Sequence, residues 1–172
     1  MEAAQRMEKN AVNSPEQVQV IPSGAALGAE VRGVDLSRPV PEATRALLRK
    51  AWADHLVLYW RGQKLPDEAF LAAAGIFGIT KEPAARKYQV AGGYKIGGRM
   101  VPLHSHLSLI SNLDEDGNPV KDNGGLGSYE VVWHSDNSYV AVPPAGSMLY
   151  SIVIPTNGGG DTWFNNQYNA YE

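Results

Sequence analysis

Residues 133–139 read Trp-His-Ser-Asp-Asn-Ser-Tyr, and the fold and function of the chain are best approached from this stretch. It lies in a run, 131–142, whose β-branched and aromatic content favours a strand. Because side chains alternate between the two faces of a strand, His134 and Asp136 are predicted to share one face. An imidazole nitrogen beside a carboxylate oxygen supplies two members of the 2-His-1-carboxylate set that binds iron(II). From these residues alone, a hydrogen-bonded His–Asp pair and a solvated loop are the alternatives.

Composition narrows the class of protein. The chain has 172 residues, a formal net charge of −3 and no cysteine. Its length suits one domain, and the lack of cysteine excludes disulfides, zinc–thiolate sites and thiol catalysis. No basic surface for nucleic acid is indicated, no apolar run approaches the roughly 20 residues of a membrane span, and no signal-peptide core is found. We therefore expect a cytoplasmic protein with no nucleic-acid or membrane partner.

The order of predicted elements indicates the fold class. Residues 1–17 are polar and are predicted to form a disordered leader, and residues 18–172 one domain. Helices are predicted to begin at residues 41, 66 and 165, and strands to cover residues 18–21, 30–36, 55–60, 104–111, 131–142, 146–154 and 161–164. Many short strands with Gly/Pro corners and two early helices predict a mainly β chain with helical decoration (α+β), built as a β-sandwich or jelly roll.

Several short motifs follow one another in the second half of the chain. They are Ile110-Ser111-Asn112-Leu113, Asp116-Gly117-Asn118-Pro119, Trp133-His134-Ser135-Asp136, Tyr139, Pro143-Pro144, Gly146-Ser147-Met148-Leu149-Tyr150, Gly159-Gly160-Asp161-Thr162 and Ala170-Tyr171-Glu172. Together they resemble the taurine dioxygenase / 2,4-dichlorophenoxyacetate dioxygenase family of iron(II)- and 2-oxoglutarate-dependent oxygenases, most clearly over residues 104–172.

The resemblance implies a double-stranded β-helix (jelly roll) that hydroxylates a small organic substrate with dioxygen and forms succinate and CO2 as co-products. His134 and Asp136 match the first two iron(II) ligands of the family. Thr162 matches the threonine that hydrogen-bonds the distal carboxylate of the co-substrate 2-oxoglutarate. Asn137 and Tyr139 stand where the family lines its substrate pocket.

The family's second histidine ligand and its carboxylate-binding arginine lie downstream of the last predicted helix, beyond residue 172. We therefore expect a jelly roll that is incomplete at its C-terminus, with a third metal ligand that these residues do not identify. His104 and His106 lie two apart on a predicted strand, where they could form hydrogen bonds or, for His106, contact the substrate.

Two other functions stay open at this point. One is a non-catalytic jelly-roll protein that acts in binding or interaction. The other is a cupin-like metalloenzyme that uses His104 and His106 with His134 and does not need 2-oxoglutarate. Neither the primary substrate nor the formation of a homo-oligomer can be read from the residues.

Overall fold

The chain divides into two compact units, residues 1–78 with 148–172 and residues 79–147. The computed structural model describes residues 12–83, 104–108, 110, 116, 118, 133–154, 156, 158 and 161–172, with the backbone of Lys95–Ile96 and Arg99–Met100. The first unit contains the hydrophobic core, and the second contains His134 and Asp136.

A three-stranded sheet forms the centre of the first unit. Strand β1 (Gln19–Pro22) runs antiparallel to β2 (Ala29–Arg32), and β2 runs parallel to β3 (Leu58–Tyr59). The order across the sheet is β1-β2-β3. A parallel pair requires a crossover connection, which helix α1 (Glu42–His55) provides between β2 and β3. These strands and this helix lie close to where the sequence predicts them, although β2 ends at Arg32 rather than at the predicted Leu36 and β3 is shorter than the predicted 55–60.

The two early helices are present, and each begins one residue after the proline at which it was predicted to start. Helix α1 follows Pro41, and helix α2 (Asp67–Ala74) follows Pro66. Proline suits a helix start because its fixed φ is helical and its missing N–H would have no partner inside the helix. Both helices contribute to one buried cluster, formed by Val31, Val34, Leu36, Leu48, Ala73 and Ile76. Met148 packs against the same cluster from a distant part of the chain.

Residues 12–17 differ from the predicted disordered leader. Pro15–Gln17 form a short 3-10 helix, and Asn13 and Ser14 are buried. The Asn13 amide donates to the carbonyl of Asp35 at 2.9 Å and accepts from the Asp35 N–H at 2.7 Å. The sequence does not reveal this, because the partner lies 22 residues away. Definite structure therefore begins before the predicted boundary at residue 18, while residues 1–11 lie outside the described residues.

The predicted late strands are not found where the chain is described. Residues 104–108 form a turn closed by a hydrogen bond from the Leu107 N–H to the His104 carbonyl, 3.1 Å. Residues 136–139 also form a turn, and residues 146–154 and 161–164 belong to no strand. In the second unit, β4 (Lys95–Ile96) and β5 (Arg99–Met100) pair as a short antiparallel hairpin. The α+β class is confirmed, but the predicted predominance of strands is not seen in the described residues, where helix exceeds strand.

The predicted last helix is present as α3 (Gln167–Tyr171). The Asn166 side chain caps its start by accepting from the N–H groups of Tyr168 and Asn169, at 3.0 and 3.3 Å. The Asn166 amide also donates to the carbonyl of Ala26 at 2.8 Å, which ties α3 to the loop between β1 and β2. None of the helices in the described ranges has the length and apolar content needed to cross a membrane.

Candidate metal centre

His134 and Asp136 meet within the second unit. The His134 Nε2 atom lies 3.0 Å from the Asp136 Oδ1 atom. The chain turns directly after Asp136 instead of continuing as the predicted strand: the Val140 N–H donates to the Asn137 carbonyl at 3.1 Å, and Asn137 has a φ of 56°. The strand prediction was wrong here because Ser, Asp and Asn favour turns, and three of them occupy positions 135–137.

The geometry of this pair fits a divalent metal ion. Two donor atoms that occupy neighbouring positions of a six-coordinate ion, each about 2.1 Å from it, are about 3.0 Å apart. The Nε2–Oδ1 distance of 3.0 Å agrees with that value. Without a metal, the same contact is a hydrogen bond from a protonated Nε2 to the carboxylate. A metal ion would replace this proton, and the exposure of both side chains, 54% and 67%, leaves the pair accessible.

A third ligand is not present in the residues that the structure covers. Among them, no three His, Cys, Asp or Glu side chains gather as a metal site would require. His104, His106 and His134 are all described, so the cupin-like site that would combine them does not form. His104 and His106 instead belong to the turn at 104–108.

His106 has a partner that the sequence does not indicate. Its Nδ1 atom lies 2.8 Å from the Thr80 hydroxyl, and both residues belong to the second unit. No local sequence pattern predicts this contact, because Thr80 lies 26 residues before His106. The hydroxyl holds the imidazole in one orientation, with Nε2 as its second polar atom. A substrate contact by His106 stays a prediction.

The other predicted site residues differ in their surroundings. Tyr139 is 78% exposed, whereas Asn137 is half-buried within the same turn. Thr162 is exposed and belongs to the first unit. The substrate roles of Asn137 and Tyr139 and the 2-oxoglutarate role of Thr162 stay predictions.

An open cleft of about 590 Å³ lies in the first unit and contains no predicted site residue. Its walls include Asn13, Asp35 and Gln63. The Gln63 amide is occupied within the protein, since it accepts from the Leu36 N–H at 2.9 Å and donates to the Val34 carbonyl at 3.1 Å. Asn13 is similarly bonded to Asp35. These hydrogen-bonded polar walls of the cleft therefore stabilise the fold.

Proteins similar to this chain include a pentalenolactone F synthase and alpha-ketoglutarate-dependent dioxygenases. The chain is 34% identical to pentalenolactone F synthase of Streptomyces avermitilis, covering 87% of this chain and 45% of that protein. It is 30% identical to the alpha-ketoglutarate-dependent sulfate ester dioxygenase of Pseudomonas putida, covering 87% of this chain and 42% of that protein. It is 27% identical to the alpha-ketoglutarate-dependent 2,4-dichlorophenoxyacetate dioxygenase of Cupriavidus pinatubonensis, covering 84% and 48% respectively.

The chain thus spans less than half the length of these three relatives. The family model described as taurine catabolism dioxygenase TauD, TfdA family matches residues 19–172, which is nearly the whole chain. This match confirms the resemblance inferred from the motifs of residues 104–172. The chain belongs to the TauD, TfdA family of dioxygenases.

Proposed function

We propose that the intact protein carrying these residues is an iron(II)- and 2-oxoglutarate-dependent dioxygenase built on a jelly roll. The observation that carries the proposal is the His134 Nε2–Asp136 Oδ1 pair at 3.0 Å, in a chain of the TauD, TfdA family. When bound, iron(II) supplies the redox chemistry by which 2-oxoglutarate, dioxygen and a C–H group become succinate, CO2 and an alcohol.

The residues of the pair have complementary tasks. His134 binds as a neutral imidazole, so its Nε2 must give up its proton before a metal can bind. Asp136 is anionic and offsets part of the charge of a divalent cation. Two protein donors at adjacent positions leave the remaining positions for a further protein ligand, 2-oxoglutarate and dioxygen.

The co-substrate and substrate require further contacts. In the proposal, the Thr162 hydroxyl donates to the distal carboxylate of 2-oxoglutarate, and Asn137, Tyr139 and His106 contact the primary substrate. The substrates in the names of similar proteins are small organic molecules, among them sulfate esters and 2,4-dichlorophenoxyacetate. We therefore propose a small organic substrate for this protein. Its cytoplasmic location and any homo-oligomer stay predictions.

Turnover of the intact protein tests the proposal. Succinate formation from 2-oxoglutarate should require iron(II) and a substrate, supplied as a panel of sulfate esters and phenoxy acids. His134→Ala and Asp136→Ala should each abolish it while leaving the folded state intact. Ser135→Ala is the matched control, because this exposed residue lies between the two ligands and should keep its activity. Unchanged succinate production by either ligand variant would remove the pair from the active site.

A further inference from the structure

We propose that Thr80 is a positioning residue whose hydroxyl fixes His106 as a hydrogen-bond donor to an anionic group of the substrate. The inference rests on the proposed function, in which His106 contacts the primary substrate, and adds Thr80 and the direction of the hydrogen bond. Its basis is the distance of 2.8 Å between the Thr80 Oγ1 and His106 Nδ1 atoms.

The contact joins two short segments of the second unit. Thr80 is half-buried near the start of this unit, and His106 lies in the turn at 104–108. Leu107, the next residue of the turn, is 9% exposed, whereas the His106 side chain is exposed. The imidazole is therefore held by the protein at Nδ1 and accessible to a ligand at Nε2.

The proton of the Thr80 hydroxyl decides the direction of this hydrogen bond. A neutral imidazole carries a proton on one nitrogen and accepts at the other, whereas a hydroxyl can both donate and accept. Within the part of the chain that the structure describes, the Thr80 hydroxyl bonds to His106 Nδ1 and to no other group. If Nδ1 carried the proton, the hydroxyl would have to accept, and its own proton would have no protein acceptor. The Thr80 hydroxyl therefore donates, and Nδ1 accepts.

The proton of the neutral imidazole then lies on Nε2. This atom has no hydrogen-bond partner among the described residues, so it can donate to a ligand. A protonated Nε2 offers no lone pair to a metal ion, which suits His106 to bind a substrate oxygen and not to complete the iron site. An anionic oxygen, from a carboxylate or a sulfate, accepts a stronger hydrogen bond than a neutral one. The site thus favours a substrate with an anionic group.

Two variants separate the hydroxyl from the shape of the threonine side chain. Thr80→Val keeps the shape and removes the donor, whereas Thr80→Ser keeps the donor. In assays of the intact protein with an anionic substrate of the panel, Thr80→Val should raise KM about tenfold and change kcat much less. Thr80→Ser should stay within about twofold of the wild type. Ser105→Ala, at an exposed residue of the same turn, is the matched control.

A double variant tests whether the hydroxyl acts through the imidazole. His106→Ala should raise KM at least as much as Thr80→Val, and adding Thr80→Val to His106→Ala should raise it no further. Nitrogen-15 NMR of the histidine rings, assigned with His106→Ala, gives a measurement that does not depend on activity. It should show the proton on Nε2 in the wild type and on both nitrogens in exchange in Thr80→Val.

The possible outcomes are distinct. A rise in KM for Thr80→Val that serine prevents and that disappears in the His106→Ala background supports the proposal. An unchanged KM for Thr80→Val, effects that add in the double variant, or a wild-type proton on Nδ1 would each overturn it. A wild-type protein that forms no succinate with any substrate would overturn the proposed function, and the NMR spectra would still test the direction of the Thr80–His106 hydrogen bond.

Discussion

Asn13 connects separate segments of the first unit through one buried side chain. It is 1% exposed, and its amide bonds both the N–H and the carbonyl of Asp35. Its own carbonyl accepts from the buried Thr44 hydroxyl at 2.6 Å. We expect Asn13→Ala to lower the free energy of unfolding by about 3 kcal/mol, because it leaves buried polar groups without partners. Urea unfolding measures this, with the exposed Asn165→Ala as control; equal small losses in both would contradict the assigned role.

Replacing Thr162 tests whether its hydroxyl binds the co-substrate 2-oxoglutarate. Thr162→Val keeps the shape of the side chain and removes one donor. The loss of a hydrogen bond to a charged carboxylate costs about 1.5–3 kcal/mol, which weakens 2-oxoglutarate binding about tenfold to a hundredfold. The rate at saturating 2-oxoglutarate should change much less. Thr156→Val, at another exposed threonine, is the control. An unchanged 2-oxoglutarate requirement would exclude Thr162 from the site.

At the scale of elements, helix α1 supports the end of helix α2 through two arginines. Arg45 donates to the Gly75 carbonyl and Arg49 to the Ile76 carbonyl, each at 3.2 Å. These carbonyls follow the last residue of α2, where backbone acceptors have no partner within the helix. We expect the double variant Arg45→Met, Arg49→Met to lose about 1–2 kcal/mol of stability in chemical unfolding. Lys50→Met breaks only an exposed ion pair with Asp54.

The lysine variant should lie within about 0.5 kcal/mol of the wild type. A loss for Lys50→Met as large as that of the double variant would show that the arginines act as ordinary surface charges. The contacts would then not join the two helices.

The elements that the sequence predicts well are those with local causes. Helices α1 and α2 follow Pro41 and Pro66 and carry apolar stripes, and apolar and polar residue types alternate along β2. The late strands fail because a strand requires a partner, and nothing local to residues 146–154 reveals whether one is paired. The burial of Asn13 was not predicted for a similar reason, because its hydrogen-bond partner Asp35 lies 22 residues away in the sequence.

In the candidate site, too, the sequence predicts local features better than contacts between distant residues. The residue types and the spacing of His134 and Asp136 are visible in the sequence, and the two side chains do meet. The prediction derived that meeting from strand alternation, whereas the positive φ of Asn137 and the turn after Asp136 accompany it in the structure. Thr80, which contacts His106, carries no signal in the sequence at all.

For the molecule as a whole, acid should unfold the protein partly through Glu30. The hydrogen bond from Arg32, 2.8 Å long, holds the pKa of Glu30 below its usual value of 4.5. Arg61, 3.6 Å away, acts in the same direction. Because the pKa is lower in the folded state, the stabilisation is present above the unfolded pKa and is lost as the pH falls through the folded pKa.

The pH dependence of stability checks this contribution. Glu30→Gln should flatten the fall in unfolding free energy as the pH drops below the usual glutamate pKa of 4.5, and Arg32→Met should flatten the same part of the curve. Curves for both variants that run parallel to the wild type through this window would show that the pair does not contribute to acid unfolding.

In the proposed active site, His134 and Asp136 bind the iron(II) ion that 2-oxoglutarate chelates. The most direct test of this proposal is the anaerobic addition of iron(II) to the intact protein in the presence of 2-oxoglutarate, monitored by the weak visible charge-transfer band of the chelated metal. We predict a saturable band at one iron per protein for the wild type and for Ser135→Ala, and no band for Asp136→Ala. A band of unchanged intensity in Asp136→Ala, or none in the wild type, would contradict the account.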